Sequence, residues 1–375
     1  MKKRSREQNQ ELHFEEERRL YAYGRQWLRG PILGCGSFGT VSLAAVNKPR
    51  LEFEYMAVKS AELCVSAELL KEKMILNDLS GCPFVLRCFG EDFTITDKYA
   101  MVYNVFLEFA SGGTLADLIE TYGGSGLPES VVRCFTESII RGLTYIHEKG
   151  YVHCDIKPEN ILLVQNSTCS SSASTGFTAK IGDFGLSKKA EAGSFKSRLR
   201  GTKMYLSPEA MNDKIQQQPA DIWALGCVVL KMLTAKPPWE LKDGNLDFHE
   251  SPVIPSFISN EGKKFLRRCF ERKPEKRFTA DMLLNHPFIS GSIFKDRDQE
   301  QLGRSILSLS EDTASEGCHS FSDGCSFIPL EESYSLSSFT EVEDIQQDIF
   351  PRFTQAISSA MGSQPQALAI LGAAY

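Results

Sequence analysis

The chain has 375 residues, 42% of them apolar and 24% charged, with a net charge of −6. That length exceeds one average domain and can bury a sizeable core. No run approaches the roughly 18 consecutive apolar residues of a membrane span, and the start, MKKRSREQNQELHFEEERR, has no apolar core of the kind a signal peptide needs.

Charge is unevenly placed. From Ser290 onward 13 acidic and 4 basic residues give −9, leaving about +3 for residues 1–289. A near-neutral body with an acidic, serine-rich tail is a domain-plus-linker pattern, not that of a nucleic-acid or membrane binder. Eleven cysteines without a CxxC pair argue for free thiols in a reducing, cytoplasmic setting.

Residues 1–26 read as a polar tail. Its cluster Lys2-Lys3-Arg4 and Arg6 is either a nuclear localisation signal or a solvated patch. From Trp27 to about Ala110 the pattern predicts strands, including Val41-Ser42-Leu43-Ala44 and Tyr55-Met56-Ala57-Val58. One helix interrupts them, capped by Ser66, with Leu69, Leu70, Leu76 and Leu79 at helical spacing. Beyond Gly112 helices dominate. Val132, Phe135, Ile139, Leu143 and Ile146 share one face of a helix from Pro128 to Glu148, which Gly150 ends. The segment Pro219–Ala235 is apolar almost all round and belongs in the centre of a core. Residues 165–176 form a serine-rich insert, and 290–338 have the composition of a disordered linker. Further on, Phe339, Val342, Ile345, Ile349, Phe350 and Phe353 recur near helical spacing among acids, either a partner-docking helix or a transient one.

Several motifs carry chemistry. Gly34, Gly36, Gly39 and Val41 form a GxGxxGxV loop. A dinucleotide fold uses the same glycine spacing, but there the loop opens a helix. Here a strand follows, so the loop is a hairpin whose backbone can fold over phosphates. Lys59 ends the strand Met56-Ala57-Val58, and Glu72 stands 13 residues on along the helix, ahead of its rival Glu68 as the carboxylate that orients the ammonium. The most specific stretch is Val152-His153-Cys154-Asp155-Ile156-Lys157-Pro158-Glu159-Asn160, followed by Asp183-Phe184-Gly185. In it Asp155 can accept the proton of an attacking hydroxyl. Lys157 can neutralise a phosphoryl group in flight, and Asn160 and Asp183 can offer oxygen ligands to magnesium. A lone DFG triplet would be chance; the whole ordered set is not.

These motifs resemble the eukaryotic protein kinase family over about residues 27–289. Gly201-Thr202, Ser207-Pro208-Glu209 where the family has APE, Asp221-Ile222-Trp223-Ala224-Leu225-Gly226 and Arg277 extend the likeness. Lys157-Pro158-Glu159-Asn160 with Gly201-Thr202 resembles serine/threonine kinases. Trp27-Leu28-Arg29-Gly30, Gly112-Gly113-Thr114-Leu115 and His153-Cys154-Asp155 are similar to plant-type MAP kinase kinase kinases.

The resemblance implies an α+β bilobal fold. A small antiparallel β-sheet lobe with one key helix would span 27–107, a hinge 108–113 and a larger helical lobe 114–289, with 290–375 a largely disordered tail. It implies ATP and Mg2+ as cofactors and MAP kinase kinases as protein substrates. Gly34, Gly36, Ser37, Phe38 and Gly39 would cover the phosphates, and Leu33, Val41, Ala57 and Leu162 would sandwich adenine. Glu108 and Ala110 would offer hinge backbone hydrogen bonds, with Leu107 as gatekeeper. Arg277 would pair with Glu209, and Asp221 would pin the catalytic loop. The alternative is a catalytically weak kinase or a pseudokinase scaffold; a pseudokinase predicts loss of Lys59, Asp155, Asn160 or Asp183, and all four are present, so it is the short stretch between Trp239 and Glu261 that keeps this alternative open. Three features depart from the family pattern: Cys154 in place of arginine, the serine-rich insert, and a short stretch between Trp239 and Glu261 in which the usual docking helix is expected to be absent or reduced to a turn.

Overall fold

The computed structural model describes residues 20–22, 25–36, 39–46, 55–96, 100–165, 176–190, 198–239, 241–242, 245–246 and 251–290. All of these lie in the first of two compact units, Met1–Phe321. The expectations for Ser37, Phe38, the basic cluster, the serine-rich run and the tail beyond Ser290 lie outside the described residues.

Six antiparallel strands form the first layer: β1 (Leu20–Ala22), β2 (Arg25–Gly36), β3 (Gly39–Val46), β4 (Tyr55–Glu62), β5 (Cys88–Ile95) and β6 (Met101–Glu108), in the order β1-β2-β3-β4-β6-β5. β1 departs from the polar tail expected over residues 1–26; it pairs Leu20 with Trp27 across a two-residue connection. Helix α1 (Ala67–Asp78) interrupts the strands where expected. Ser66 precedes it, but the hydroxyl does not cap the helix; it donates instead to the Leu63 carbonyl at 2.9 Å. One sheet face buries Ala57, Leu107 and Val105 with α1 residues Leu69, Ile75 and Leu76. The other carries a small separate cluster of Trp27, Ala44, Val58 and Phe106.

The second part is mainly helical. It contains α2 (Leu115–Thr121), α3 (Glu129–Glu148), α4 (Pro208–Asp213), α5 (Gln218–Thr234), α6 (Asn260–Cys269), α7 (Ala280–Leu284) and α8 (Pro287–Ser290). Short strand pairs lie among them. β7 (Tyr151–Val152) pairs with β10 (Lys188–Lys189), β8 (Ile161–Gln165) with β9 (Phe177–Ile181), and β11 (Leu241–Lys242) with β12 (Asn245–Leu246). The 3.6-residue periodicity of α3 puts Val132, Phe135, Ile139, Leu143 and Ile146 fully inside. Each such side chain contributes about 1.5–3 kcal/mol relative to exposure. α5 has no polar face: Ile222 through Leu230 are all buried, as its composition requires. Gly226 lets α6 approach closely, because a Cβ there would sit 2.6 Å from Cys269 Cβ. Among the described residues no helix lies between Thr234 and Asn260, in keeping with the short stretch and with Pro252 and Pro255, which break helices. No helix among them is long and apolar enough to cross a membrane.

Candidate active site

The glycine motif forms a strand–turn–strand hairpin. Gly36 pairs with Gly39 across the two-residue tip, and Gly34 with Val41. Gly39 has φ of 131°, and a Cβ there would lie 2.2 Å from the Ser60 carbonyl oxygen, so only glycine fits this turn. Below the hairpin Ala57 is buried on β4, while Val41 and Leu162 are half-buried and Leu33 is exposed. Leu107 and Glu108 end β6. The Glu108 amide donates to the Arg87 carbonyl at 2.9 Å, and the Ala110 carbonyl accepts from Gly113 at 3.1 Å.

Lys59 Nζ lies 2.6 Å from Glu72 Oε2 and 3.0 Å from Asp183 Oδ1. Glu72 is buried on the sheet-facing side of α1, whereas the rival Glu68 is exposed. Burial works against the Lys59 ammonium, but Glu72 and Asp183 outweigh it and hold its pKa above the ordinary lysine value. Burial likewise pushes Asp183 up, and Lys59, with His153 and Lys157, pulls it below the usual carboxylate range. Phe184 is fully buried and meets His153 edge-on at 4.9 Å, fixing the orientation of its neighbour Asp183.

Asp155 is held by four donors. Thr202 N and Oγ1 each lie 2.9 Å from its Oδ1. Lys157 Nζ is 2.9 Å and Asn160 Nδ2 3.0 Å from its Oδ2. The loop carrying Asp155 is fastened from below: His153 N and Cys154 N donate to the two Asp221 oxygens at 2.9 and 3.0 Å. Cys154 and Asp183 adopt φ of 68° and 58°, left-handed conformations that cost non-glycine residues free energy and persist only where the surroundings impose them. Arg277 and Glu209 form a bidentate pair at 2.7 and 3.0 Å, with the guanidinium wholly buried.

Two contacts were not foreseen in the sequence. Thr202, in the sequence only a point of likeness to serine/threonine kinases, binds both Asp155 and, at 3.0 Å, Lys157. The sequence motifs assign a role to the Glu108 backbone alone, yet Lys180 Nζ binds both its side-chain oxygens at 2.8 Å in a buried pair that joins the end of β6 to the strand leading into Asp183. A lone charge at the end of the apolar strand MVYNVFLE and another inside FTAKI are the only trace of it.

The donor set, an amide oxygen and a carboxylate, would suit a hard divalent cation. The Asn160 amide nitrogen is occupied by Asp155, which leaves its oxygen for a metal, and the Asp183 side chain keeps 34% exposure. Among the described residues no group of three or more His, Cys, Asp or Glu could hold a metal alone. Two protein oxygens are a partial set that a hard divalent cation would complete with ligands from elsewhere.

The model of the protein kinase domain family matches residues 27–289, and the chain belongs to that family. It is an ATP-dependent serine/threonine protein kinase of the MAP kinase kinase kinase group. The Arabidopsis thaliana protein Mitogen-activated protein kinase kinase kinase 20 is 42% identical over 279 residues, covering 71% of this chain and 78% of its own length. The Arabidopsis kinase kinase kinases 18 and 17 are 37% and 36% identical; they cover 70% and 71% of this chain, and 77% and 70% of their own lengths. Membership implies ATP and a divalent metal, and protein substrates.

Proposed function

We propose that this kinase phosphorylates MAP kinase kinases, using ATP with Mg2+, through a domain spanning residues 27–289 with its hinge at 108–113. The observation that carries the site assignment is the convergence of four segments: Lys59 of β4 meets Glu72 of α1 and Asp183, and Asn160 meets Asp155 on a loop whose Asn160 carbonyl accepts from Gly182, next to Asp183. Lys59, oriented by Glu72, holds the nucleotide phosphates under the hairpin Gly34–Gly39. Leu33, Val41, Ala57 and Leu162 enclose the adenine, and the backbone of Glu108 and Ala110 orients it. Asn160 and Asp183 would hold the metal, which when bound neutralises charge on the phosphates. Asp155 positions the substrate hydroxyl and accepts its proton, and Lys157 stands beside the travelling phosphoryl group. The substrate class is supported by the relatives' names. The test is phosphate transfer to a panel of catalytically dead MAP kinase kinases. Serine or threonine labelling of at least one is expected; labelling of a generic protein substrate but of no panel member would overturn the substrate assignment.

Cys154 bears on control. Burial, with Asp221 nearby, pushes its thiol up to about 12, so at pH 7 it is neutral and cannot pair with a phosphate as an arginine would. The loop is instead fastened internally by Asp221. Activity is therefore expected to survive phosphatase treatment, or the double substitution Ser194→Ala/Ser197→Ala, both positions lying outside the described residues. Retention of most of the rate supports this, and loss of nearly all of it refutes it.

A further inference from the structure

We infer that Tyr151 is a positioning residue: its hydroxyl on Asp78 and its ring beneath Lys189 tie the end of α1 to the catalytic loop and to the segment after Asp183. Tyr151 opens β7, four residues before Asp155, and is 6% exposed. Its hydroxyl donates to Asp78 Oδ2 at 2.6 Å, across 73 residues of chain. Lys189 Nζ lies 3.6 Å from the centre of its ring, and the two residues face each other in the β7–β10 pair.

Asp78 ends α1, and the last turn of that helix has no basic residue. A carboxylate at a helix C-terminus opposes the helix dipole. The Tyr151 hydroxyl therefore supplies a compensation that the helix itself lacks. A second tyrosine, Tyr145 of α3, reaches the same turn, donating to the Ser80 carbonyl at 3.4 Å. Glu72 lies a turn and a half before Asp78 on a short helix, so fastening the end of α1 fastens the carboxylate that orients Lys59. The contact also joins three parts that must be in place together: the helix carrying Glu72, the loop carrying Asp155, and the strand that follows Asp183. This inference rests on the assignment of Lys59 and Glu72 to the nucleotide phosphates.

The test is kinetic and uses the full chain. Tyr151→Phe removes one hydroxyl and leaves the ring under Lys189. When α1 is less often in place, the form that binds ATP well is less populated, so the apparent affinity falls by that fraction. The KM for ATP is expected to rise by up to about 5-fold, the full effect of one ordinary hydrogen bond. Turnover at saturating ATP and the KM for the protein substrate stay within about 2-fold. Asp78→Ala is expected to match it, and Asp78→Asn, which keeps an acceptor, to recover part of the loss. The double variant Tyr151→Phe/Asp78→Ala should be no worse than either single one. A lower turnover with unchanged KM for ATP would mean only a loss of folded enzyme and would overturn the inference. So would independent, additive effects of the two substitutions, or no change in either variant. The unaltered chain run alongside tests the kinase activity itself, so failure of that reading is seen separately.

Discussion

Replacing Asp155 with asparagine lowers turnover by at least about 100-fold, the lower end of what a positioned general base contributes. The substitution is nearly isosteric. The remaining oxygen can still accept from Thr202, whose N and Oγ1 both lie at 2.9 Å. What changes is the other end of the group. An amide nitrogen would face Lys157 Nζ and Asn160 Nδ2, two donors now at 2.9 and 3.0 Å from an acceptor. The fold should therefore survive with a melting temperature a few degrees lower, while the attacking hydroxyl loses its proton acceptor. Steady-state rates and a thermal melt on the same preparation check both parts. A variant that turns over at near the original rate would remove Asp155 from the role proposed here. Lys59→Met is a less clean probe, since it also strands the buried Glu72 carboxylate without its cation.

Arg277→Ala destabilises the protein by about 3–5 kcal/mol, because it leaves the buried carboxylate of Glu209 without its charge partner. The arginine also donates to the carbonyls of Glu271 and Pro219 at 2.8 and 2.7 Å, and its guanidinium lies over the Trp223 ring. Every one of these acceptors is stranded by the truncation. For a domain of this size the loss corresponds to a melting temperature lower by roughly 10 °C. Changing both partners to apolar residues of similar volume, Arg277→Met with Glu209→Leu, should cost less than Arg277→Ala alone, since no buried charge is then left unpaired. Equal losses for the single and double variants would show that the carbonyl contacts, not the ion pair, dominate. Denaturant titrations of the three proteins give the comparison.

What could be read from the chain follows from how far each feature reaches along it. The glycine loop, the His153–Asn160 stretch and Asp183-Phe184-Gly185 are local patterns, and each polar residue in them has a chemical reason that does not depend on the rest of the fold. The choice of Glu72 over Glu68 was legible because the helical period puts one of them with Leu69 and Leu76, and the burial of Glu72 follows from that. Long-range polar pairs were not legible. Lys180 and Glu108 are 72 residues apart, and nothing local to either names the other. Thr202 stands 47 residues from Asp155, and its hydroxyl could equally have faced water. Ser66 failed as a cap for a more ordinary reason: a serine hydroxyl before a helix has several acceptors and donors in reach, and here the Leu63 carbonyl competes successfully. β1 was missed because three residues amid charge carry too little pattern to be seen without their partner strand.

The attachment of the catalytic loop to Asp221 sets the order in which the molecule loosens. Asp221 is 1% exposed on α5, the helix with no solvent face, so the amides of His153 and Cys154 can come free only when the centre of the helical part opens. The glycine hairpin is anchored quite differently. Ile32, Leu33, Cys35 and Gly36 on its first strand are all exposed, and little apolar burial opposes its lifting. Regions with few buried contacts open at a small fraction of the global free energy. Mild warming or dilute denaturant should accordingly erode the grip on the nucleotide well before it disturbs the machinery around Asp155, and an enzyme weakened in this way would still turn over at full speed once ATP was abundant.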